Sequence, residues 1–90
     1  MRRTIQVVLT NLIQQLVDQP DVAYVNVTKA EQTTVFEVIV AKSDRGKVIG
    51  KNGMMIQCLR HILYSMASKN KIRAILEICE ETGFQKHAEL

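Results

Sequence analysis

The chain has 90 residues, which suffice for one domain with a modest core and leave no material for a second. Hydrophobic residues make up 47% and charged residues 23% of the chain, and this balance favours neither a disordered chain nor a membrane protein. Twelve Lys and Arg against nine Asp and Glu give a formal net charge of +3, which suits an anionic partner but is too small to demonstrate one. Whether the chain binds an anionic partner therefore depends on where its charges lie.

The N-terminal stretch predicts an amphipathic helix rather than a targeting signal. Polar residues interrupt the apolar run after Arg3, and no run of about 18 apolar residues exists that would span a bilayer. Two distant cysteines, Cys58 and Cys79, are typical of reduced, buried thiols. We therefore expect a cytoplasmic protein without a membrane partner. The helical spacing is carried by Ile5, Val8, Leu9, Leu12, Ile13, Leu16 and Val17, and the helix ends before Pro20.

Alternation with period two follows, which is typical of half-buried strands. One strand is predicted around Val25, with apolar residues at 23, 25 and 27. A polar stretch at 29–32 separates it from a second strand at 34–41, in which Phe36, Val38 and Val40 share one face.

Helical signals return after the second strand. Asp44 is a candidate N-cap for a short helix at 45–49 that stops at Gly50, and a longer helix runs from Met54 to about residues 68–70. A third strand fits 72–79. The prediction is an α+β domain at 1–79, ordered α-β-β-α-α-β, with three helices on one face of a three-stranded sheet. Residues 80–90 form a tail of unknown role.

The segment from Asp44 to Ile56 places glycines at 46, 50 and 53. A Walker A loop is excluded, because three rather than four residues separate Gly46 from Gly50 and Lys51 is followed by Asn52. A dinucleotide fingerprint is disfavoured by the same spacing, and a hairpin at Asn52-Gly53 by the helical periodicity on both sides. What remains is a Gly-x-x-Gly turn between two helices.

Such a turn suits a nucleic-acid backbone. Residues without Cβ let sugar and phosphate approach the main chain, and the N-terminus of the next helix favours phosphate. Four basic residues and one acid, Asp44, lie between positions 42 and 53, so this segment alone carries +3 and the rest of the chain sums to about neutral.

The segment Gly46-Lys47-Val48-Ile49-Gly50-Lys51-Asn52-Gly53-Met54-Met55-Ile56 resembles the V-I-G-x-x-G-x-x-I signature of KH domains. The element order resembles the type II, prokaryotic KH topology, and the length is similar to the bacterial single-domain KhpA family over roughly residues 5–79. Two departures are the continuation to Leu90 and Arg45 in a position that is usually apolar.

This resemblance implies a non-catalytic protein that holds about four nucleotides of single-stranded RNA. The loop would bind phosphates and aliphatic residues would support the bases, with the second strand closing the far wall. Scarce aromatic residues agree with that mode, because aromatic stacking is the alternative used by other RNA-binding folds. The predicted RNA-binding residues are Gly50, Lys51, Asn52, Gly53, Lys47, Arg45, Val48, Ile49 and Ile56.

Structural alternatives exist for each of these residues. The two glycines also suit an ordinary helix connection, the lysines a solvated surface, and Val48, Ile49 and Ile56 the core. Met54, Met55 and Met66 are typical core residues. Cys58 and His61, with Cys79 or His87, offer zinc ligands, but two ligands in uncertain company do not make a site. We expect no metal, no cofactor, no small-molecule substrate and no catalytic machinery.

Two functions stay open at this point. The first is an RNA chaperone or post-transcriptional regulator, with single-stranded DNA as an alternative ligand because the loop contacts the backbone. The second is a protein-interaction adaptor. The family resemblance implies homodimers and a heterodimer with a larger, Jag-type KH protein, and weak binding by one domain favours such pairing.

Overall fold

A computed structural model describes residues 2–80 of the chain. Two 3₁₀ turns, Lys42–Asp44 and Lys51–Gly53, flank the second of three helices. The order confirms the predicted α-β-β-α-α-β fold. The predicted tail lies outside the described residues except for Glu80, which ends the last strand. The elements are α1 (Arg2–Leu16), β1 (Tyr24–Ala30), β2 (Thr33–Val40), α2 (Arg45–Ile49), α3 (Met54–Lys69) and β3 (Arg73–Glu80).

The sheet has the strand order β1-β2-β3, with β1 antiparallel and β3 parallel to the central strand. Phe36 in β2 stands opposite Val27 in β1 and Leu76 in β3. The polar separation predicted at 29–32 was too long, because β1 continues through Ala30 and only Glu31 and Gln32 form the turn. Glu31 takes a positive φ of 35°, which is what a two-residue hairpin demands.

The three helices cover one face of this sheet. Phe36, Val38 and Val40 are fully buried on that face, as the alternation predicted. Against them pack Ile5, Leu9 and Ile13 of α1 and Leu59 and Leu63 of α3. Within residues 2–80, no helix combines the length and apolar character needed to cross a membrane.

Asp44 occupies the N-cap position of α2, as predicted, but its side chain does not cap the helix. It ends a 3₁₀ turn with φ −97° and ψ −4°, whereas a capping residue typically has an extended backbone, and its carboxylate makes no capping hydrogen bond. The side chain is 1% exposed and instead accepts hydrogen bonds from the backbone N–H groups of Asp18 (3.1 Å) and Gln19 (3.0 Å). Asp44 therefore fastens the segment after α1 to the start of α2.

Gly50 makes the sharp corner between α2 and α3. Its φ of 79° and ψ of 170° lie outside the range of other residues, and a Cβ there would stand 2.6 Å from Met55 Cβ and 2.8 Å from Met55 N. Gly46, within α2, has nothing within 4 Å of the corresponding position. Of the three glycines that the structure describes, only Gly50 is required both by its backbone conformation and by packing.

Replacing Gly50 or Gly46 by alanine is expected to change the stability of the fold in opposite directions. Gly50→Ala is expected to lower the free energy of unfolding by about 2–4 kcal/mol, from backbone strain and the contact with Met55. Gly46→Ala is expected to raise it by about 0.5–1 kcal/mol, because alanine loses less entropy in a helix. Urea denaturation followed by circular dichroism measures both, and a Gly50→Ala protein as stable as wild type would contradict this account.

Loss of the Asp44 carboxylate leaves two N–H groups without their acceptor. We expect Asp44→Ala to lower the free energy of unfolding by about 2–3 kcal/mol and Asp44→Asn, which keeps one acceptor, by about half of that. Asp21→Ala removes an exposed acid from the neighbouring loop and serves as the control, with an expected change within about 0.5 kcal/mol. Equal effects of Asp44→Ala and Asp21→Ala would show that the buried contacts contribute nothing.

Candidate nucleic-acid interface

The Gly50–Gly53 loop is a single tight turn at the entrance to α3. Gly53 N–H donates to the Gly50 carbonyl oxygen at 3.0 Å. Asn52 (φ 55°) and Gly53 (φ 73°) are both left-handed, a conformation that asparagine and glycine adopt at low cost. The Asn-Gly pair thus forms a turn between helices rather than a β-hairpin, as predicted.

The outer surface of the loop is open at Gly53. A Cβ added there would meet only Ile56 Cγ2, at 3.9 Å, so glycine is required by its φ and not by crowding from the protein. Lys51 and Asn52 are exposed between the two glycines. A ligand can therefore approach the main chain at Gly53 while a cation and an amide stand beside it.

The N-terminus of α3 adds a positive partial charge to this loop. The helix has 16 residues, no acidic side chain in its first turn and no side chain capping its first N–H groups. Backbone donors at the start of such a helix attract anions. The loop, Lys51 and the helix end together form a site that favours phosphate.

A cleft of about 450 Å³ lies beside the loop, between the helices and β3. Its aliphatic part supports flat apolar ligands such as bases, and its polar part offers both hydrogen-bond donors and an acceptor. The cleft is lined by Ile49, Ile56, Leu76 and Ile78, together with Arg45, Arg60 and Glu77.

The far wall of the cleft is β3, so the expectation that the second strand closes it was wrong. Because β2 is the central strand, β1 and β3 cover both of its edges. The free edge in this region belongs to β3, whose backbone pairs with β2 on one side only among the described strands. Unpaired backbone donors and acceptors of an edge strand are available to a ligand.

Of the predicted site residues, the structure brings Arg45, Ile49 and Ile56 together at the cleft, next to the glycine loop. Val48 is fully buried and belongs to the core, because it lies on the face of α2 that packs against the sheet and α3. Lys47 points elsewhere: its Nζ lies 3.5 Å from the Asp18 carboxylate, in an exposed pair that contributes little stability.

Sequence analysis missed four lining residues: Arg60, Leu76, Glu77 and Ile78. Arg60 follows Ile56 by one helical turn, so the spacing already placed the two on one face of α3. Leu76 and Ile78 alternate on β3, but their part in the cleft depends on which strand forms the sheet edge. The order of the strands in the sheet is set by the tertiary fold, so the sequence pattern of β3 alone does not reveal it.

Met54 is not a core residue. Its side chain is 66% exposed, while Met55 and Met66 pack against the core as predicted. Met54 begins α3 immediately after the turn, where the left-handed residues direct the first side chain outward. The expectation of a buried thiol was likewise wrong for Cys58, which is exposed on α3.

The described residues offer no metal site. Among residues 2–79, no three His, Cys, Asp or Glu side chains lie close enough to hold an ion, and His87 falls outside that range. Burial raises the pKa of the Cys79 thiol, and the Glu37 and Glu77 carboxylates raise it further. A thiol that keeps its proton is a poor metal ligand and a poor nucleophile.

Known proteins match most of the chain. The family model described as "KhpA/KhpB, KH domain" matches residues 6–78. A protein named RNA-binding protein KhpA from Chlamydia pneumoniae is 42% identical over 73 residues, which cover 81% of this chain and 94% of the relative. A protein of the same name from Caldanaerobacter subterraneus is 44% identical over 63 residues, covering 70% and 84%. No solved structure matches significantly.

The family model covers the elements that build the loop and the cleft, from α1 to β3. The type II KH order, with its parallel final strand, agrees with that match. The family is non-enzymatic, which confirms the expectation that this chain is not an enzyme. On this evidence the chain belongs to the KhpA/KhpB family of KH-domain proteins.

Proposed function

We propose that this chain is a non-catalytic protein that holds single-stranded RNA through the Gly50–Gly53 loop. The observation that carries the proposal is the position of this loop, with its exposed Lys51 and Asn52, at the mouth of an aliphatic cleft. The relatives' name, RNA-binding protein KhpA, supports RNA as the ligand.

In this proposal the backbone and the bases of the strand have separate binding surfaces. Phosphates contact Lys51, the main chain at Gly53 and the first N–H groups of α3. Bases lie on Ile49 and Ile56. This division suits a chain with two Phe, two Tyr and no Trp, which cannot build an aromatic stacking platform.

Base edges then face the wall of the cleft formed by β3. Arg60 supplies donors, Glu77 an acceptor, and the free edge of β3 supplies both. A loop that contacts the backbone accepts single-stranded DNA as well, so preference for RNA requires a contact to the 2′-OH. We propose that the protein acts as an RNA chaperone or post-transcriptional regulator, since it holds a short segment and performs no chemistry on it.

Replacing Lys51 and Asn52 by Asp tests the loop. Loss of the cation and repulsion of phosphate are expected to weaken binding of a short single-stranded RNA by at least about tenfold, while Asp tolerates the left-handed position 52. For the wild type, log affinity is expected to fall with log salt at a slope of about −2 to −3, for three or four phosphate contacts. Fluorescence anisotropy at several salt concentrations measures both.

A control variant changes the charge equally at a distance from the loop. Asn11→Asp, Gln15→Glu and Ser65→Asp alter exposed positions on α1 and α3 and also lower the formal charge by three units. This variant should retain most of its affinity. If it binds as weakly as the loop variant, while both keep the wild-type circular dichroism spectrum, the effect is one of net charge and the loop is not the binding site.

A protein-interaction role is the second candidate, favoured by an apolar stripe on α3. Met54, Cys58 and Ile62 follow one another at four-residue spacing and are all exposed, Met54 by 66% and Ile62 by 40%. Exposed apolar stripes of this kind mark contacts between proteins. The proposed partners are a second copy of the chain or a larger KH protein of the KhpB type, for which the family model is also named.

Ile62→Asp tests this second role. A charge in the middle of the stripe is expected to shift a dimer toward monomer by at least about tenfold in dissociation constant, because it must be desolvated in the contact. Sedimentation equilibrium measures the change, and Asn11→Asp on the exposed side of α1 is the control. Identical association of wild type and Ile62→Asp would exclude the stripe as the contact.

A further inference from the structure

The end of the molecule opposite the Gly50–Gly53 loop carries a second cluster of cations. Three places in the chain meet there: the first turn of α1, the β1–β2 hairpin and the turn from α3 to β3. We call this end the basic pole. All its cations are exposed, and Glu31 of the hairpin is the one acidic residue of the described chain at this end. The basic pole consists of Arg2, Arg3, Lys29, Lys69, Lys71 and Arg73.

The strand register and two hollows fix the position of the pole. Arg73 begins β3 opposite Thr33, which in turn pairs with Ala30 at the end of β1. A hollow of about 490 Å³ is lined by Arg2, Arg3, Gln6, Val27 and Ile72. A second, of about 440 Å³, lies between α1 and the end of α3 and is lined by Thr4, Ile5, Met66, Lys69 and Asn70. The first turn of α1 thus lies beside the turn after α3.

The pole has a large excess of positive charge. Its six cations and Glu31 sum to +5, whereas the whole chain carries +3, so everything outside the pole sums to −2. Among residues 2–79, no ion pair joins any of the six to an acidic residue. A concentration of unpaired charge of this size attracts polyanions.

Two of the cations are in unfavourable positions for the fold. Arg2 and Arg3 occupy the first turn of α1, at the positive end of the helix dipole, and no acidic residue accompanies them. A cation there costs about 0.3–1 kcal/mol relative to a neutral residue. A bound phosphate removes this cost, since it supplies the negative charge that the helix end lacks.

The cleft and the pole lie along the same pair of elements. α3 begins at the Gly50–Gly53 loop and ends at Lys69, and β3 returns from Arg73 along the cleft wall. Leu76, Glu77 and Ile78 of β3 line the cleft, and Arg73 begins the same strand three residues before Leu76. Three residues of a strand span about 10 Å, so an RNA strand that leaves the cleft along β3 reaches the pole at Arg73.

We propose that the basic pole binds the phosphodiester backbone of the RNA strand whose neighbouring nucleotides occupy the loop and cleft. This inference rests on the proposed function, and it extends the RNA footprint beyond the four or so nucleotides of a single KH domain. The continuity of cleft and pole favours a nucleic-acid strand over an anionic membrane, the other polyanion that such a cluster attracts. Contacts to backbone alone add length dependence and affinity without base preference.

The test compares two RNA lengths on two variants. The pole variant carries Lys69→Gln, Lys71→Asn and Arg73→Gln, and Lys71→Asn respects the positive φ of 59° at that position. The probes are single-stranded RNAs of about four and about twelve nucleotides, within the range of single-strand binding sites. Backbone amide shifts locate each RNA, and anisotropy gives the affinities. The control is the variant with Asn11→Asp and Gln15→Glu, both exposed in the second half of α1 and away from the pole, which lowers the charge by two units.

We expect the pole variant to lose affinity for the longer RNA but not for the shorter one. The pole variant should bind the longer RNA about tenfold more weakly than wild type, with a salt slope smaller by about 2, and should bind the shorter RNA unchanged. The wild type should show amide shifts at 69–73 with the longer RNA only. An independent variant, Arg2→Gln with Arg3→Gln, should give the same pattern with a smaller loss.

Other results overturn the proposal in distinguishable ways. Unchanged affinity of the pole variant for the longer RNA, alongside lost binding by the Lys51→Asp, Asn52→Asp variant, rejects the pole and keeps the loop. Loss of binding by neither variant rejects the proposed function as well. Unchanged RNA affinity together with lost sedimentation on vesicles of phosphatidylglycerol would assign the pole to a membrane surface instead.

Discussion

The parallel pairing of β2 with β3 determines where the rest of the fold lies. A tight turn cannot join two parallel strands, so the chain after β2 must travel back to the opposite end of the sheet before β3 begins. Here α2 and α3 make that crossing, and they cover the sheet while doing so. The glycine loop is the corner of the crossing. It therefore lies at the carboxyl end of β2, while the turn into β3 lies at the opposite end.

Two features hold this corner in place: the hydrogen bonds of Asp44 before α2 and the close packing at Gly50 after it. The Asp44 carboxylate binds the segment after α1, and Gly50 brings the start of α3 within contact of its own backbone. Neither residue contributes much apolar surface. Their effect is to fix the direction of α2 relative to α1 and α3, and a cleft formed between helix and strand depends on that direction. The geometry of the site thus depends on a buried hydrogen-bonded carboxylate and a glycine corner, and neither can be recognised from the spacing of hydrophobic residues.

The sequence predicts the elements of this fold well, because each has an undisturbed periodicity and a clear boundary residue. Gly50 ends α2 and the Asn-Gly pair opens α3 as predicted. What it does not predict depends on tertiary placement. Val48 and Ile49 are adjacent aliphatic residues, yet one is buried and the other lines the cleft. Asp44 has the right neighbours for a cap, but a 3₁₀ turn gives it the wrong backbone conformation.

The distribution of charge is likewise not predicted from the sequence, because it depends on tertiary placement. Summed along the chain, the loop segment accounts for the whole net charge, and the remainder looks neutral. In the fold, the described residues outside the loop segment separate into the cationic pole and other surfaces whose formal charges sum to a negative value. Arg2, Lys29 and Lys71 are distant in sequence but lie at the same end of the molecule. A running sum cannot detect a cluster assembled from three separate segments.

The two glycines of the loop differ in what they permit over evolutionary time. A Cβ at position 50 would lie 2.8 Å from the backbone nitrogen of Met55, so any other residue at this position would push the start of α3 away and destabilise the fold. Gly53 needs only a left-handed backbone, which asparagine also adopts, and the nearest atom leaves space for a side chain. Position 53 is therefore free to vary without loss of the fold. A lineage can retune what the loop accepts at this one position while the first glycine stays fixed.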